Sequence, residues 1–160
     1  MNHTLSVLVD DKPGVLTRVT ELIARRGFNI ESLAVGISED PTLSRVTMVV
    51  SAPDVPTEQI IKQLHKLINV HKITDLSKEE SIDRELVLFK VDAPPERRHE
   101  VIEIANLFRV SIIDVGSEML TIEATGTRDK LDALEDLFRT YGLREVARTG
   151  VISLPRCAKD

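Results

Sequence analysis

The sequence predicts an α+β protein made of two consecutive ferredoxin-like domains, each with the element order βαββαβ. Three observations lead to this prediction. Apolar residues recur with strand and helix spacing in the order strand, helix, strand, strand, helix, strand over residues 1–76. The polar segment 77–83 has no apolar period and is predicted to be a linker, and the same order begins again over residues 84–160. A chain of 160 residues can supply two cores of this small size.

The first strand and the first helix flank a short polar turn. Apolar residues alternate in the strand, as is typical of a half-buried strand, at Leu5, Val7 and Val9. After the turn, apolar residues recur at helical spacing at Val15, Leu16, Val19, Leu22 and Ile23. Gly27 follows two arginines, and this combination predicts the end of the helix.

The remainder of the first domain contains three predicted strands and one helix. The alternating apolar residues of the second and third strands are Leu33, Val35, Ile37, Val46, Met48 and Val50. Thr57 is predicted to cap the second helix. The apolar positions of that helix are Ile60, Ile61, Leu64, Leu67 and Ile68. A short strand over residues 70–76 completes the domain.

The second domain repeats these signals. Strands are predicted over residues 86–91, 111–115 and 120–124, and a final strand over residues 143–154 is interrupted at Gly150. One helix is predicted to open at Pro94 and a second to be capped by Thr127. The two halves therefore share one predicted topology.

The turn between the first strand and the first helix is the most informative stretch. Pro13 suits the first helical position, and Gly14 leaves the neighbouring backbone uncovered. Free N–H groups at a helix start attract anions, by about 0.3–1 kcal/mol at a surface. The sequence therefore predicts a small anionic ligand at Gly14, with an ordinary strand-to-helix turn as the alternative. The second half has no glycine in the matching segment, residues 92–95, so a ligand site is expected in the first half only.

Composition excludes several function classes. The formal charge of −5, without a basic run, argues against nucleic acid as a partner. No apolar run approaches the length of a membrane span, so a cytoplasmic protein is expected. The single Cys157 excludes a disulfide within the chain and a thiolate metal cluster. Phosphate loops, nucleophile elbows and zinc-protease helices are missing as motifs, so we expect no catalytic residues, no metal and no cofactor on this chain.

The histidines do not form an identifiable constellation. His99 and Glu103 share a predicted helix face but lack a third ligand, so a solvated face is expected there. No acid or nucleophile partner can be assigned from the sequence to His3, His65 or His71, and all three are expected at the surface.

Several runs of the sequence together resemble a known family. The runs LSVLVDDKPGVLTRV, RRGFNIESL, PTLSR and QLHKLINV are similar to the amino-terminal ACT domain of the small regulatory subunit of acetohydroxyacid synthase, also called acetolactate synthase. The second half continues the resemblance through ANLFR, IIDV, EATG, KLDAL and REVARTG. The resemblance covers nearly the whole chain and implies an ACT domain followed by an ACT-like domain.

The resemblance also implies an effector site shared between two chains. In this family a branched-chain amino acid, usually valine, lies between two ACT domains of a homodimer. The matching positions here are Asp11, Gly14, Val15 and Leu16 in the turn of one chain, with Asn29 and Ile30 from the other. Many family members have asparagine where this chain has Asp11, and a carboxylate there repels the effector's carboxylate while attracting its ammonium group.

The function implied by the resemblance is regulatory. Such a chain binds the catalytic large subunit, raises its activity and confers feedback inhibition by valine, leucine or isoleucine in branched-chain amino acid biosynthesis. Thiamine diphosphate, FAD and Mg²⁺ are expected on the catalytic partner. Two alternatives remain at this point: a stand-alone ACT sensor that acts on a different partner, and a catalytic role, for which the sequence offers no general base, nucleophile or metal site.

Overall fold

The computed structural model describes residues 2–52 and 55–158. The chain divides into two compact units, Met1–Ile82 together with Val151–Asp160, and Asp83–Gly150. These limits differ from the boundaries expected from the sequence, 1–76, 77–83 and 84–160, at two places. Residues 81 and 82 already belong to a strand, and the segment that begins at Val151 groups with the first unit.

The first unit has the predicted βαββαβ order. Its elements are β1 (Asn2–Asp10), α1 (Val15–Arg25), β2 (Asn29–Ile37), β3 (Leu43–Ser51), α2 (Thr57–Leu64) and β4 (Val70–Asp75). The four strands form one antiparallel sheet in the order β2-β3-β1-β4, so β2 and β4 are its edges. The two central strands, β1 and β3, pair along their whole length, from Asn2 opposite Ser51 to Asp10 opposite Leu43.

The core of the first unit lies between this sheet and its two helices. Alternate residues of β1 and β3 are fully buried, and the stripe of α1 buries Val19 and Ile23 against them. The strand residues of this core are Leu5, Val7, Val9, Val46, Met48 and Val50. Burial of each such side chain contributes about 1.5–3 kcal/mol, so the core holds the end of β1 and the start of α1 in fixed positions.

The second unit repeats the topology. Its elements are β5 (Ser81–Asp92), α3 (Arg98–Leu107), β6 (Ser111–Val115), β7 (Met119–Gly126), α4 (Arg128–Arg139) and β8 (Leu143–Arg148). The strand order β6-β7-β5-β8 matches that of the first sheet, with β9 (Ile152–Pro155) also pairing with β5. The predicted fold class is therefore confirmed, and the last strand is interrupted at Gly150, which has a φ of 84°.

Helix boundaries were predicted less well than helix existence. Thr127 caps α4 as expected, because its side chain accepts a hydrogen bond from the Lys130 N–H. The cap position of α2 is Pro56, so the prediction that Thr57 caps this helix is wrong. Helix α2 also ends at Leu64, which leaves Ile68 almost fully exposed in the following turn. Helix α3 begins at Arg98 and not at the predicted Pro94, since Pro94 and Pro95 lie in the segment before the helix.

His3 is buried, which corrects its expected place at the surface. It lies on the same face of β1 as the core residues, and its Nδ1 is 2.7 Å from the Thr57 hydroxyl. Thr57 is the first residue of α2, and its side chain contacts β1.

A cluster of four charged residues joins three elements of the second unit. The Arg148 guanidinium in β8 donates two hydrogen bonds of 2.9 Å to the Glu85 carboxylate in β5. Its third nitrogen donates to Asp132 at 2.8 Å and to Glu135 at 3.3 Å, both in α4. Glu85 is only 6% exposed, so its charge depends on this arginine. Glu85 first, and then Asp132, raise the pKa of Arg148 above its ordinary value, and the arginine is charged at every accessible pH.

Candidate functional site

The turn between β1 and α1 is shaped by Gly14. This residue is the cap position of α1 and has a φ of 84°, in the left-handed region that favours glycine. A Cβ added at Gly14 would meet no heavy atom within 4 Å, so the space beside its backbone is open. Pro13 lies in the turn and not at the first helical position, which corrects the expectation from the sequence.

The first turn of α1 presents unused N–H groups. Within the turn, the Val15 N–H reaches only the Lys12 carbonyl oxygen, at a long 3.4 Å, while the Arg18 N–H donates to the Gly14 carbonyl oxygen at 3.1 Å. Within residues 2–52 and 55–158 the N–H groups of Gly14, Leu16 and Thr17 donate no hydrogen bond. Together with the positive end of the helix dipole, these groups favour an anion.

Asp11 places a carboxylate beside these N–H groups. Its side chain is exposed, and the Ser44 hydroxyl at the start of β3 donates a hydrogen bond of 3.3 Å to its Oδ1. The Asp11 N–H donates to the Thr42 carbonyl oxygen at 3.0 Å, which ties the turn to the β2–β3 loop. A donor-rich helix start beside a fixed carboxylate suits a ligand that carries both a negative and a positive group.

Val15 and Leu16, at the start of α1, have side chains in different environments. The Val15 side chain is 3% exposed and belongs to the core of the first unit, so only its backbone faces the turn. The Leu16 side chain is 38% exposed. Of the two, Leu16 is therefore the one whose side chain can contact a ligand from solution.

The structure places Asn29 and Ile30 far from this turn within one chain. They begin β2, where Asn29 pairs with Ser51 of β3, and Ser51 pairs with Asn2 at the start of β1. The turn follows Asp10, eight residues further along β1. With a rise of about 3.3 Å per residue, the two parts of the predicted site lie about 26 Å apart along the strand direction. One chain alone therefore does not assemble the six predicted residues.

Strand β2 is an edge of its sheet and carries apolar side chains near its end. Val35 is 47% exposed and Ile37 is 71% exposed. An exposed edge with apolar residues is a surface to which another strand can add.

Two side chains, from β4 and from the connection that precedes it, contact the carboxylate of Asp10, the last residue of β1. The His71 Nε2 lies 2.6 Å from Asp10 Oδ1, and the Asn69 amide donates a hydrogen bond of 2.8 Å to Asp10 Oδ2. Arg18 donates to the Asn69 side-chain oxygen at 2.9 Å. The hydrogen bonds from Asn69 and then from His71 lower the pKa of the Asp10 carboxyl, so it is ionised.

This arrangement corrects the expectation that His71 has no acidic partner. A β-bulge between β1 and β4 produces the contact, because Leu8 pairs with Lys72 and Val9 pairs with Val70, which leaves His71 as the extra residue. The sequence contains no local signal for a bulge at this position, and the residues that it joins are 61 positions apart.

The matching turn of the second unit has different chemistry. The cap position of α3 is Arg97, with a φ of −118°. The neighbouring Arg98 side chain donates hydrogen bonds to the carbonyl oxygens of Ala93, Gly116 and Ser117, at 3.2, 2.6 and 2.7 Å. A cation already occupies the turn, and no left-handed glycine opens its backbone.

The described part of the chain shows neither a metal site nor a membrane-spanning helix. Within it, no group of three or more histidine, cysteine, aspartate or glutamate side chains is placed to hold a metal ion. None of the helices described there is long and apolar enough to cross a membrane.

Comparison with known proteins gives matches over both units. The family model of the AHAS small subunit-like ACT domain matches residues 5–72, and the model of the small subunit of acetolactate synthase matches residues 84–157. The acetolactate synthase small subunit of Mycolicibacterium smegmatis is 57% identical over 154 residues, which cover 96% of this chain and 91% of that protein.

Two further relatives, at lower sequence identity, give the same result. The probable acetolactate synthase small subunit of Archaeoglobus fulgidus is 52% identical, with 98% of each chain covered. The crystal structure of the small subunit from Thermotoga maritima superimposes with a TM-score of 0.91 at 42% identity, and 99% of each chain is covered. The chain therefore belongs to the family of acetolactate synthase small subunits.

Proposed function

We propose that this chain is a cytoplasmic regulatory subunit that activates the catalytic large subunit of acetolactate synthase and confers feedback inhibition by valine or another branched-chain amino acid. The observation that carries the feedback part is the divided site. The N–H groups of the turn and Asn29 are accessible, and Ile30 is half-buried against the core of its own unit. The turn and the pair Asn29 and Ile30 lie at opposite ends of one sheet. An effector that contacts both must lie between two chains.

The topology supports a homodimer that would bring the two parts together. The end of β2 lies at the same end of the sheet as the turn, because Ile37 pairs with Ser44 and Asp10 pairs with Leu43. If the β2 edges of two chains pair antiparallel about a two-fold axis, the start of one β2 lies beside the end of the other. The partner's Asn29 and the partner's Ile30 then approach the turn of the first chain.

The chemistry of the two parts fits an α-amino acid. The N–H groups of Gly14 and Leu16 take the carboxylate, while Asp11 and the partner's Asn29 accept hydrogen bonds from the ammonium group. Leu16 and the partner's Ile30 contact the side chain. Burial of an isopropyl group contributes about 2–3 kcal/mol, which separates valine from glycine but separates valine from leucine or isoleucine only weakly.

Feedback then follows from linkage. An effector that bridges two chains binds the assembled dimer alone, and any change that it makes in the dimer reaches the catalytic partner as a coupling free energy of about 1–3 kcal/mol. Thiamine diphosphate, FAD and Mg²⁺ belong, in this proposal, to the catalytic subunit.

The proposal is tested by measuring acetolactate formation with the large subunit from the same organism. We expect the rate to rise several-fold when this chain is added, and valine, leucine or isoleucine to reverse much of that rise. The chain alone should form no acetolactate. A chain that binds valine but associates with a protein other than the acetolactate synthase large subunit would instead be a stand-alone sensor.

A further inference from the structure

We propose that Asn69 and His71 form a clamp that positions the effector turn, and that protonation of His71 strengthens effector binding. The inference rests on the proposed function, because it concerns the regulation of the same site. The clamp is the hydrogen-bonded group of four residues Asp10, Arg18, Asn69 and His71.

Asn69 holds both ends of the turn at once. Its backbone carbonyl oxygen accepts from the Asp10 N–H at 3.0 Å, and its side-chain amide donates to Asp10 Oδ2 at 2.8 Å. Its side-chain oxygen accepts from Arg18, which lies one helical turn after Gly14. The residues between Asp10 and Arg18 supply the free N–H groups, so the position of these groups depends on one asparagine of the α2–β4 connection.

His71 sets the charge next to the turn. The groups that face it or its partner are the carboxylates of Asp10 and Asp40 and the cations Lys12 and Arg18, with Lys72 beside it in β4. Asp11 adds a further carboxylate on the other side of the turn. Neutral His71 adds no positive charge beside Asp10, whereas protonated His71 offsets the charge of that carboxylate and reduces the repulsion that an effector carboxylate meets.

The expected pH effect has a definite sign and size. A proton on the His71 imidazole places a positive charge 2.6 Å from Asp10 Oδ1. One added unit charge near the effector carboxylate, screened by a water-like dielectric, changes affinity about threefold. Effector affinity is therefore expected to rise about threefold as falling pH protonates His71.

The test is a calorimetric titration of the full chain with valine, leucine and isoleucine between pH 5.5 and 8.5. His71→Gln keeps a side-chain N–H donor and removes the titration, so its affinity should not vary with pH. His65→Gln is the matched control, since His65 is an exposed histidine outside the clamp, and it should keep the wild-type pH profile. A wild-type affinity that is constant across this range, or a His71→Gln profile equal to that of wild type, overturns the pH role.

The positioning role of Asn69 is tested by exchanging its amide with the carboxylate of Asp10. Asn69→Asp places two carboxylates together and should weaken effector binding at least tenfold. The double variant Asp10→Asn with Asn69→Asp restores an amide-to-carboxylate pair at equal net charge, and should return affinity to within about threefold of wild type. A double variant that stays as weak as Asn69→Asp, or an Asn69→Asp variant that binds normally, overturns the clamp.

The outcomes separate the clamp from the proposed function. A wild-type chain that binds none of the three amino acids overturns the effector site and the clamp together. If the wild-type chain binds an effector but the variants give the contrary results stated above, the clamp alone is overturned. Thermal unfolding of each variant, which should stay within a few degrees of wild type, shows that the affinity change does not come from loss of fold.

Discussion

Replacing Gly14 by aspartate is expected to abolish effector binding and to leave activation of the catalytic subunit intact. The backbone position is open, so the new side chain fits without a clash but stands beside the free N–H groups. Its carboxylate competes for those donors and repels that of the effector. Loss of the helix-start attraction removes up to about 2 kcal/mol, and like charges about 4 Å apart near a protein surface oppose binding by about 4 kcal/mol more. Affinity for valine should fall at least 100-fold, which titration calorimetry measures directly.

Two control variants separate charge from backbone strain. Gly14→Asn introduces a side chain of the same size without charge, and asparagine tolerates a positive φ better than most residues. It should weaken binding less than tenfold. Gly27→Asp carries the same charge at a position with a φ of 78° and equally open space, but at the other end of α1. It should bind valine normally.

The result would be read together with activation of the large subunit. Normal valine binding by Gly14→Asp would place the effector elsewhere. Loss of activation and of feedback together, in a variant that unfolds at the wild-type temperature, would show that the two activities share one surface.

Replacing Arg148 by methionine is expected to destabilise the second unit by about 3–5 kcal/mol, because the buried Glu85 carboxylate then has no cation. Urea unfolding monitored by circular dichroism measures this change. The double variant Arg148→Met with Glu85→Leu removes the charge as well as its partner, and should recover most of the loss.

An exposed ion pair of the same unit provides the control. Arg144 pairs with Asp92 at 2.7 Å, and more than half of its side chain is exposed. Because solvent screens such a pair, Arg144→Met should cost less than about 1 kcal/mol. Equal losses for the Arg144 and Arg148 variants would contradict the assignment of the Arg148 cluster as a buried network.

Apolar periodicity was enough to predict the fold class. Strand alternation in β1 and the helical stripe of α1 depend on side chains that repeat every two or every 3.6 residues, and both elements occur where these patterns predicted them. The helical spacing gave a wrong prediction at the end of α2, because the predicted helix extended to Ile68. Leu67 continues the helical stripe and packs on the core, but it does so from a turn after the helix has ended at Leu64. Packing alone does not reveal whether the backbone there is helical.

Two errors had different physical causes. The burial of His3 was readable in principle, because His3 has the same strand parity as Leu5, Val7 and Val9, which face the core. The contact of His71 with Asp10 was not readable, because it depends on a β-bulge and on strands that are distant in sequence. The free N–H groups at Gly14 follow from the local turn, whereas the separation of about 26 Å between the site's two parts follows from sheet order and needs the tertiary fold.

The C-terminal segment has a consequence for how the protein is made. The Val151 N–H donates a hydrogen bond of 2.8 Å to the Ser32 hydroxyl, across 119 positions of sequence, and both Val151 and Ser153 are buried. During translation, at roughly 5–20 residues per second, β1 to β4 leave the ribosome well before Val151 is synthesised. Several seconds must therefore pass, and nearly the whole chain must be synthesised, before the hydrogen bond between Val151 and Ser32 can form. A nascent chain that stalls before Val151 exposes an unfinished surface to chaperones and proteases.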